Sequence, residues 1–297
     1  SLMRLLYDWG ASGGLLLALT SGNREYLEDG LKIAFRDAGL SHILALSGMH
    51  LSIIGGIALG LAAGTAGRRL AVRFSLIVVS LFVWFAGNSP SLDRSLIMVF
   101  TAAFLRSRGI RINLFSLLAL SAIIQLVLSP EDSQSLAFKL SYASLTGIVL
   151  VGTWVTYCLE PWIPSRILSG FGASFGAQLF TAPVAAGTVA VLAPIGILAA
   201  CVMTPLVTLY LVSGIILIML ATIIPGLVTC CLPLYGKIYD AVCSLAFFFS
   251  AFPKIAIQDL FALITVSILS AVCSILLYAV YTRTRLRRAP DALFAGL

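Results

Sequence analysis

Residues 41–64 read SHILALSGMHLSIIGGIALGLAAG, and this stretch decides the fold. It carries His42 and His50, the two histidines of the chain, at the opening of an apolar run. The run is about 20 residues long, the length that crosses a bilayer as a helix. A segment that only anchored the chain would be Leu, Ile and Val throughout. Here Ser47, His50 and Ser52 lie inside the run, followed by Gly56, Gly60 and Gly64. Ser47 and His50 share a face of a helix by their spacing. The three glycines form a small-xxx-small ridge that lets a neighbouring helix approach closely. The stretch predicts a helix over 41–64 inside a bundle, near residues 87–94.

Working outward, composition agrees. The chain has 297 residues, 60% hydrophobic and 10% charged, with a mean hydropathy of +1.06, which excludes an ordinary soluble domain. The predicted fold class is an all-α polytopic membrane protein: a helical bundle of about eight or nine membrane segments, with broken or re-entrant helices and interfacial amphipathic ones. The six cysteines form no CxxC or Cys/His pattern and read as small hydrophobes. No metal or cofactor is expected.

Three regions are expected: an interfacial, amphipathic segment over 1–40, a membrane domain over 41–282, and a basic cytoplasmic tail over 283–297. Residues 1–20 show no initiating Met and no cleavage site, so no signal peptide is read. Arg4 and Asp8 leave that segment open between a span and an interfacial or re-entrant helix. Residues 23–40 suit an amphipathic helix along the membrane surface. Arg68, Arg69 and Arg73 form a basic loop, followed by a short span over 74–87. GNSPSLDR, residues 87–94, sits between two short apolar arms and reads as a hairpin or broken helix, tolerated at membrane depth where it is buried or lines water. Further spans fall at 114–128, 136–159, 167–192, 197–224 with a kink at Pro205, and 260–281. Residues 227–252 are ambiguous, because Pro233, Gly236, Lys237 and Asp240 interrupt them.

The net charge of +7 is accounted for by topology. With the helix after His42 running outside to inside, the loops at 68–73, 106–111, 160–166 and 283–288 are cytoplasmic and hold eleven of the 19 Lys and Arg. The outer loops hold six Lys and Arg against eight Asp and Glu. Charge alone therefore gives no support for nucleic acid. There is no P-loop, GxGxxG, HExxH or nucleophile elbow, so the chain has no recognisable means of hydrolysing a nucleotide to drive transport.

SHILALSGMHLSIIGG resembles the signature of the ComEC-type competence proteins, with matches at Gly39, Leu40, Ser41, His42, Ala45, Ser47, Gly48 and His50. GNSPSLDRSLIM is similar to a second family stretch through Gly87, Ser89, Pro90, Ser91 and Arg94. FKLSYASLTGI is similar to a third through Phe138, Leu140, Ser141, Gly147 and Ile148. Residues 178–183 fit a later pattern more loosely, and the resemblance covers roughly 20–220. Lys139 stands where the family usually has Gln, and Ala200-Cys201 where an Asn is common.

The resemblance implies a channel of the cytoplasmic (inner) membrane that admits single-stranded DNA during natural transformation. The chain would be multi-pass, with a cytoplasmic C-terminus, and would work with a separate DNA receptor, nuclease and cytoplasmic motor. Family members often add an oligonucleotide-binding-type domain before this region and a metallo-β-lactamase-like domain after it. Two histidines cannot supply the metal motif of the latter, so the chain is expected to be an excised channel domain or a reduced relative.

Candidate residues on the DNA path are His42, Ser47, His50, Ser89, Arg94, Lys139, Ser141 and Gln178, with Gly56, Gly60 and Gly64 for helix packing. For Ser47 and His50 three readings stay open: a nucleophile and base without an orienting carboxylate, a structural hydrogen bond, and pore lining. Arg94 is either paired to a loop carboxylate such as Asp93 or a phosphate contact at the outer mouth. Lys139 either snorkels to headgroups or faces the path. Asn88, Ser89, Ser141, Gln178 and Thr181 are uncharged donors that let an anion pass without holding it, and they suit helix-to-helix bonds equally. The rival functions are a secondary permease for a small organic anion and a membrane-embedded serine hydrolase using Ser47 and His50.

Overall fold

A computed structural model describes residues 6–87, 89–188, 191–257 and 259–294. Apart from one antiparallel bridge between β1 (Val191–Leu192) and β2 (Ile255–Ala256), its regular structure is helical. The protein is an all-α polytopic membrane protein. Among the described residues five helices are long and apolar enough to cross a membrane: Gly67–Ala86, Leu136–Leu159, Gly196–Ala221, Val228–Ser250 and Leu260–Leu286. The chain divides into two compact units.

The first unit comprises Ser1–Ala137 and Val202–Phe252. Its helix α1 (Gly10–Ser21) is apolar all round, and Leu15, Leu16, Leu17, Ala18 and Leu19 are buried. At 1.5 Å per residue it is about 18 Å long, too short to cross a bilayer, so it serves as a core helix. Tyr210 donates its hydroxyl to the Ser12 carbonyl and stacks on Tyr235 with ring centroids 4.6 Å apart. α1 ends at Gly22, whose φ of 73° provides a left-handed cap.

Helix α2 (Asp29–Asp37) is amphipathic as expected, but its apolar face does not lie on lipid. Leu31, Ala34 and Phe35 are buried, and the helix packs on α11 (Pro225–Ser250). The prolines and charges of 227–252 do not break α11: Pro225 opens it and Pro233 lies inside it.

The 41–64 stretch departs from the continuous helix expected. A single turn, α3 (Ser41–Leu44), gives way to extended backbone at Ala45, and α4 (Gly48–Ala86) begins only after Ser47. α4 is itself two arms. Gly67, at φ 75° and ψ 157°, lies in a region open to glycine almost alone, and the chain folds back there. Ser75 Oγ donates to the Gly55 carbonyl at 2.8 Å across the two arms. The basic residues Arg68, Arg69 and Arg73 are consequently helical, at the start of the second arm.

Among the described residues, the ridge expected at Gly56, Gly60 and Gly64 meets no helix: a Cβ added at any of the three would touch nothing within 4 Å. Gly55 is the glycine turned to the second arm, its added Cβ 3.0 Å from Val79. One position of offset is about 100° around a helix, enough to move the ridge off the contact. The broken-helix reading of 87–94 agrees with the structure. Gly87, at φ 85°, ends α4, and α5 (Pro90–Ser107) starts with proline in its first turn and returns along α4. α6 (Leu114–Leu128) packs on α5.

The second unit comprises Phe138–Cys201 and Pro253–Leu297. α7 (Leu136–Gly147), a π-helical turn (Ile148–Gly152) and α8 (Thr153–Leu159) run on as one rod, which packs against α9 (Ser165–Thr188). Backbone meets backbone in this seam: a Cβ on Gly147 would lie 2.0 Å from the Gly176 carbonyl oxygen, and one on Gly172 2.8 Å from that of Gly152. α12 (Leu260–Phe294) also packs on α9, and Ser270 Oγ donates to the Leu179 carbonyl at 2.6 Å. α10 (Gly196–Ile223) contributes to both units and contains Pro205.

Candidate functional site

Ser47 sits in extended backbone at the N-cap of α4, and the local sequence Ser-Gly-Met-His forms a capping box with a histidine in the usual Glu or Gln position. The Ser47 side chain accepts the His50 backbone N–H, and the His50 ring accepts the Ser47 N–H at Nδ1, 3.3 Å away. Ser47 Oγ lies 3.2 Å from the same nitrogen. Because Nδ1 accepts, the neutral ring carries its proton on Nε2. That Nε2 is buried without a hydrogen-bond partner among the described residues, in a residue only 1% exposed.

The N-terminal turns of α5 close over this point. Leu92 joins Leu46, Leu51, Val79 and Val83 in one buried apolar cluster. Beside it, a Cβ on Gly48 would lie 2.7 Å from Ser95 Oγ and 3.5 Å from Arg94 Nη2. Glycine at 48 thus makes room for the Ser95 hydroxyl against the start of α4, with the guanidinium in ordinary contact beside it. Arg94 is 7% exposed and contacts the Ser95 hydroxyl at 3.4 Å. Ser89 caps α5 with extended backbone and is half-buried. Gln125, reaching in from α6, donates to the Pro90 carbonyl at 3.2 Å and to Asp132 at 2.8 Å, and so fixes where α5 begins.

Ser47, His50, Ser89 and Arg94 therefore gather where α4 and α5 start, with Ser95 and Gln125 supporting them. Sequence reasoning missed the last two, although Gln125 is the one amide in an α6 that is apolar but for two serines, and its acidic partner lies in the following loop. His42 is exposed on α3. Lys139, Ser141 and Gln178 belong to the second unit: Lys139 is exposed, Ser141 buried and Gln178 half-buried. Asn88 lies outside the described residues.

Two chemical capacities follow. The starts of two helices, each with positive backbone polarity, adjoin a buried guanidinium and an imidazole N–H, a combination that favours an anion. The Ser47 and His50 pair resembles a nucleophile and base only in distance, since Nδ1 is occupied by the Ser47 N–H and, among the described residues, no group hydrogen-bonds Nε2 to orient the ring. Ser47→Ala is expected to destabilise the first unit by about 1 kcal/mol, the cost of a lost cap, as read from thermal unfolding in detergent. A fluorophosphonate probe on the unaltered chain is expected to leave Ser47 unlabelled.

A family model described as Competence protein matches residues 19–282. ComE operon protein 3 of Bacillus subtilis (strain 168) is 31% identical over 147 residues, 47% of this chain and 18% of that protein. Uncharacterized protein YcaI of Escherichia coli (strain K12) is 24% identical over 166 residues, 53% of this chain and 22% of that protein. The chain thus spans about a fifth of the length of the curated relatives it matches. No solved structure matches.

Proposed function

This chain belongs to the competence protein family, and from that premise we propose that it is a passive conduit for single-stranded DNA across the cytoplasmic membrane, with its C-terminus in the cytoplasm. The observation that carries the reading is the burial of His50, Arg94 and Ser95 near the starts of α4 and α5, which meet at Gly48. Polar groups at membrane depth are costly and mark ion or substrate routes. These offer one fixed cation and neutral donors. That balance attracts a phosphate without trapping it, as conduction requires. Lys139, Ser141 and Gln178 would supply further weak contacts, and His42 would stand at the outer mouth. Energy would come from a separate motor, with a receptor delivering the strand and a nuclease removing its complement.

His50→Ala tests the reading directly. It leaves Arg94 in place and removes the buried N–H, so labelled DNA reaching the cytoplasm is expected to fall roughly tenfold at normal membrane abundance, about 1.4 kcal/mol of added barrier. Undiminished uptake would return His50 to capping alone. Loss of organic-anion flux with intact DNA uptake would instead favour the permease.

A further inference from the structure

We propose that Arg24, Lys32 and Arg36 form a docking site for the phosphodiester backbone of single-stranded DNA, upstream of the buried cluster. This rests on the conduit reading above. The three cations line a surface cavity of about 240 Å³ together with Ile33, Ser41 and Leu44, and no carboxylate is among those lining residues. Asp29 holds Lys32 Nζ at 2.8 Å, and Asp37 holds Arg36 at its Nε edge, 3.2 Å away. The Nη groups of Arg36 would supply the paired hydrogen bonds a phosphate takes from a guanidinium.

Three observations point to a ligand. In the topology that collects cations inside, six Lys and Arg remain outside, and half of them converge on this one cavity. The apolar face of α2 is already occupied by α11, so the polar face is not the back of a helix floating on lipid. The cavity also adjoins the candidate path: only Ala45 and Leu46 lie between Leu44, in its lining, and Ser47 at the cap of α4, three steps or about 10 Å of extended chain.

Size selects the class of ligand. Pockets that enclose a drug-sized molecule run from roughly 300 to 1,000 Å³, so this one takes a phosphate group and leaves the base outside. Binding is then indifferent to sequence. A lipid headgroup carries the same phosphodiester, and the test separates the two.

The full chain would be purified in a detergent without phosphate, and binding of fluorescent oligo(dT) followed by anisotropy from low to moderate salt. The R24Q/K32Q/R36Q variant changes partly exposed side chains and is expected to keep its fold, checked by circular dichroism and size exclusion. It should bind at least tenfold more weakly, with the salt slope smaller by about 2, since each cation on a single strand contributes roughly 0.7. Unchanged affinity and slope would overturn the site, as would an unaltered chain with no affinity for oligo(dT) at low salt. An effect of the substitutions seen only on binding to phosphatidylglycerol vesicles, and not on oligo(dT), would assign the cavity to lipid and overturn it too. If the triple variant binds normally while His50→Ala still blocks uptake, the docking site fails and the conduit reading stands. Weaker binding in the triple variant beside normal uptake in His50→Ala would support the docking site and count against the buried cluster as the path.

Discussion

Arg94→Gln is expected to lower delivery of labelled DNA to the cytoplasm about a hundredfold, with the protein still present in the membrane. The guanidinium is the one fixed charge of the buried cluster, at 7% exposure. It lies beside the first turn of α4, 3.5 Å from where a Cβ on Gly48 would stand. Gln keeps an amide and much of the length but removes the charge. A hundredfold loss is about 2.7 kcal/mol, a reasonable value for one desolvated charge acting on a phosphate. Arg94→Lys separates charge from shape: an ammonium retains the attraction but lacks the planar fork, so partial recovery, within about tenfold of the unaltered protein, is expected. Thermal unfolding in detergent distinguishes the alternative. If Arg94 only holds α5 against α4, Gln and Lys will both lower the unfolding temperature in proportion to the loss of uptake, and the path assignment fails.

Gly147→Ala is expected to cost about 3 kcal/mol of stability, the upper end for inserting a methyl group into a filled interior. Its Cβ would lie 2.0 Å from the Gly176 carbonyl oxygen and 2.7 Å from the carbonyl carbon. Both atoms are backbone, so no rotamer can relieve the clash. The rod formed by α7 and α8 would have to move off α9 along the whole seam, losing the close approaches at Gly152 and Gly172 as well. Gly187→Ala is the control on the facing helix α9, since its Cβ would meet Leu263 at an ordinary 3.7 Å. Differential scanning fluorimetry of the two variants should show a fall of several degrees for the first and little change for the second. Equal melting would mean that the seam is looser than its geometry implies.

The contrast between the two sets of glycines explains what could be read from the amino-acid order and what could not. Gly56, Gly60 and Gly64 satisfy a spacing of four, yet face no neighbour. The seam uses Gly147 and Gly152 on one rod and Gly172 and Gly176 on the other. The first pair is five apart because a π-helical turn lies between them, and that turn returns residues five apart to one face. A search for period four passes over it. Membrane character, the break at Gly87 and Pro90, and the polar residues of 47–50 were legible because each is a local property. Gln125 was not singled out, since its partners are Pro90 and Asp132, brought to it only by the fold. The separation of α3 from α4 was hidden by the apolar residues 43–46, which continue through the break. Only the cap formed by Ser47 and His50 reveals where the helix begins.

The reversal at Gly67 bears on how the chain is made. The arm Gly48–Gly64 is about 25 Å long at 1.5 Å per residue, short of a hydrocarbon core of about 30 Å, and it carries His50 and Ser52. Emerging alone from a ribosome, it would be a poor candidate for release into lipid. Folded against Gly67–Ala86, it leaves as half of a helical hairpin. The second arm offers Ser75 to the Gly55 carbonyl and Val79 and Val83 to Leu51, and it brings the apolar surface that the first arm lacks. Insertion of the segment on which the site is built therefore waits on the segment synthesised after it.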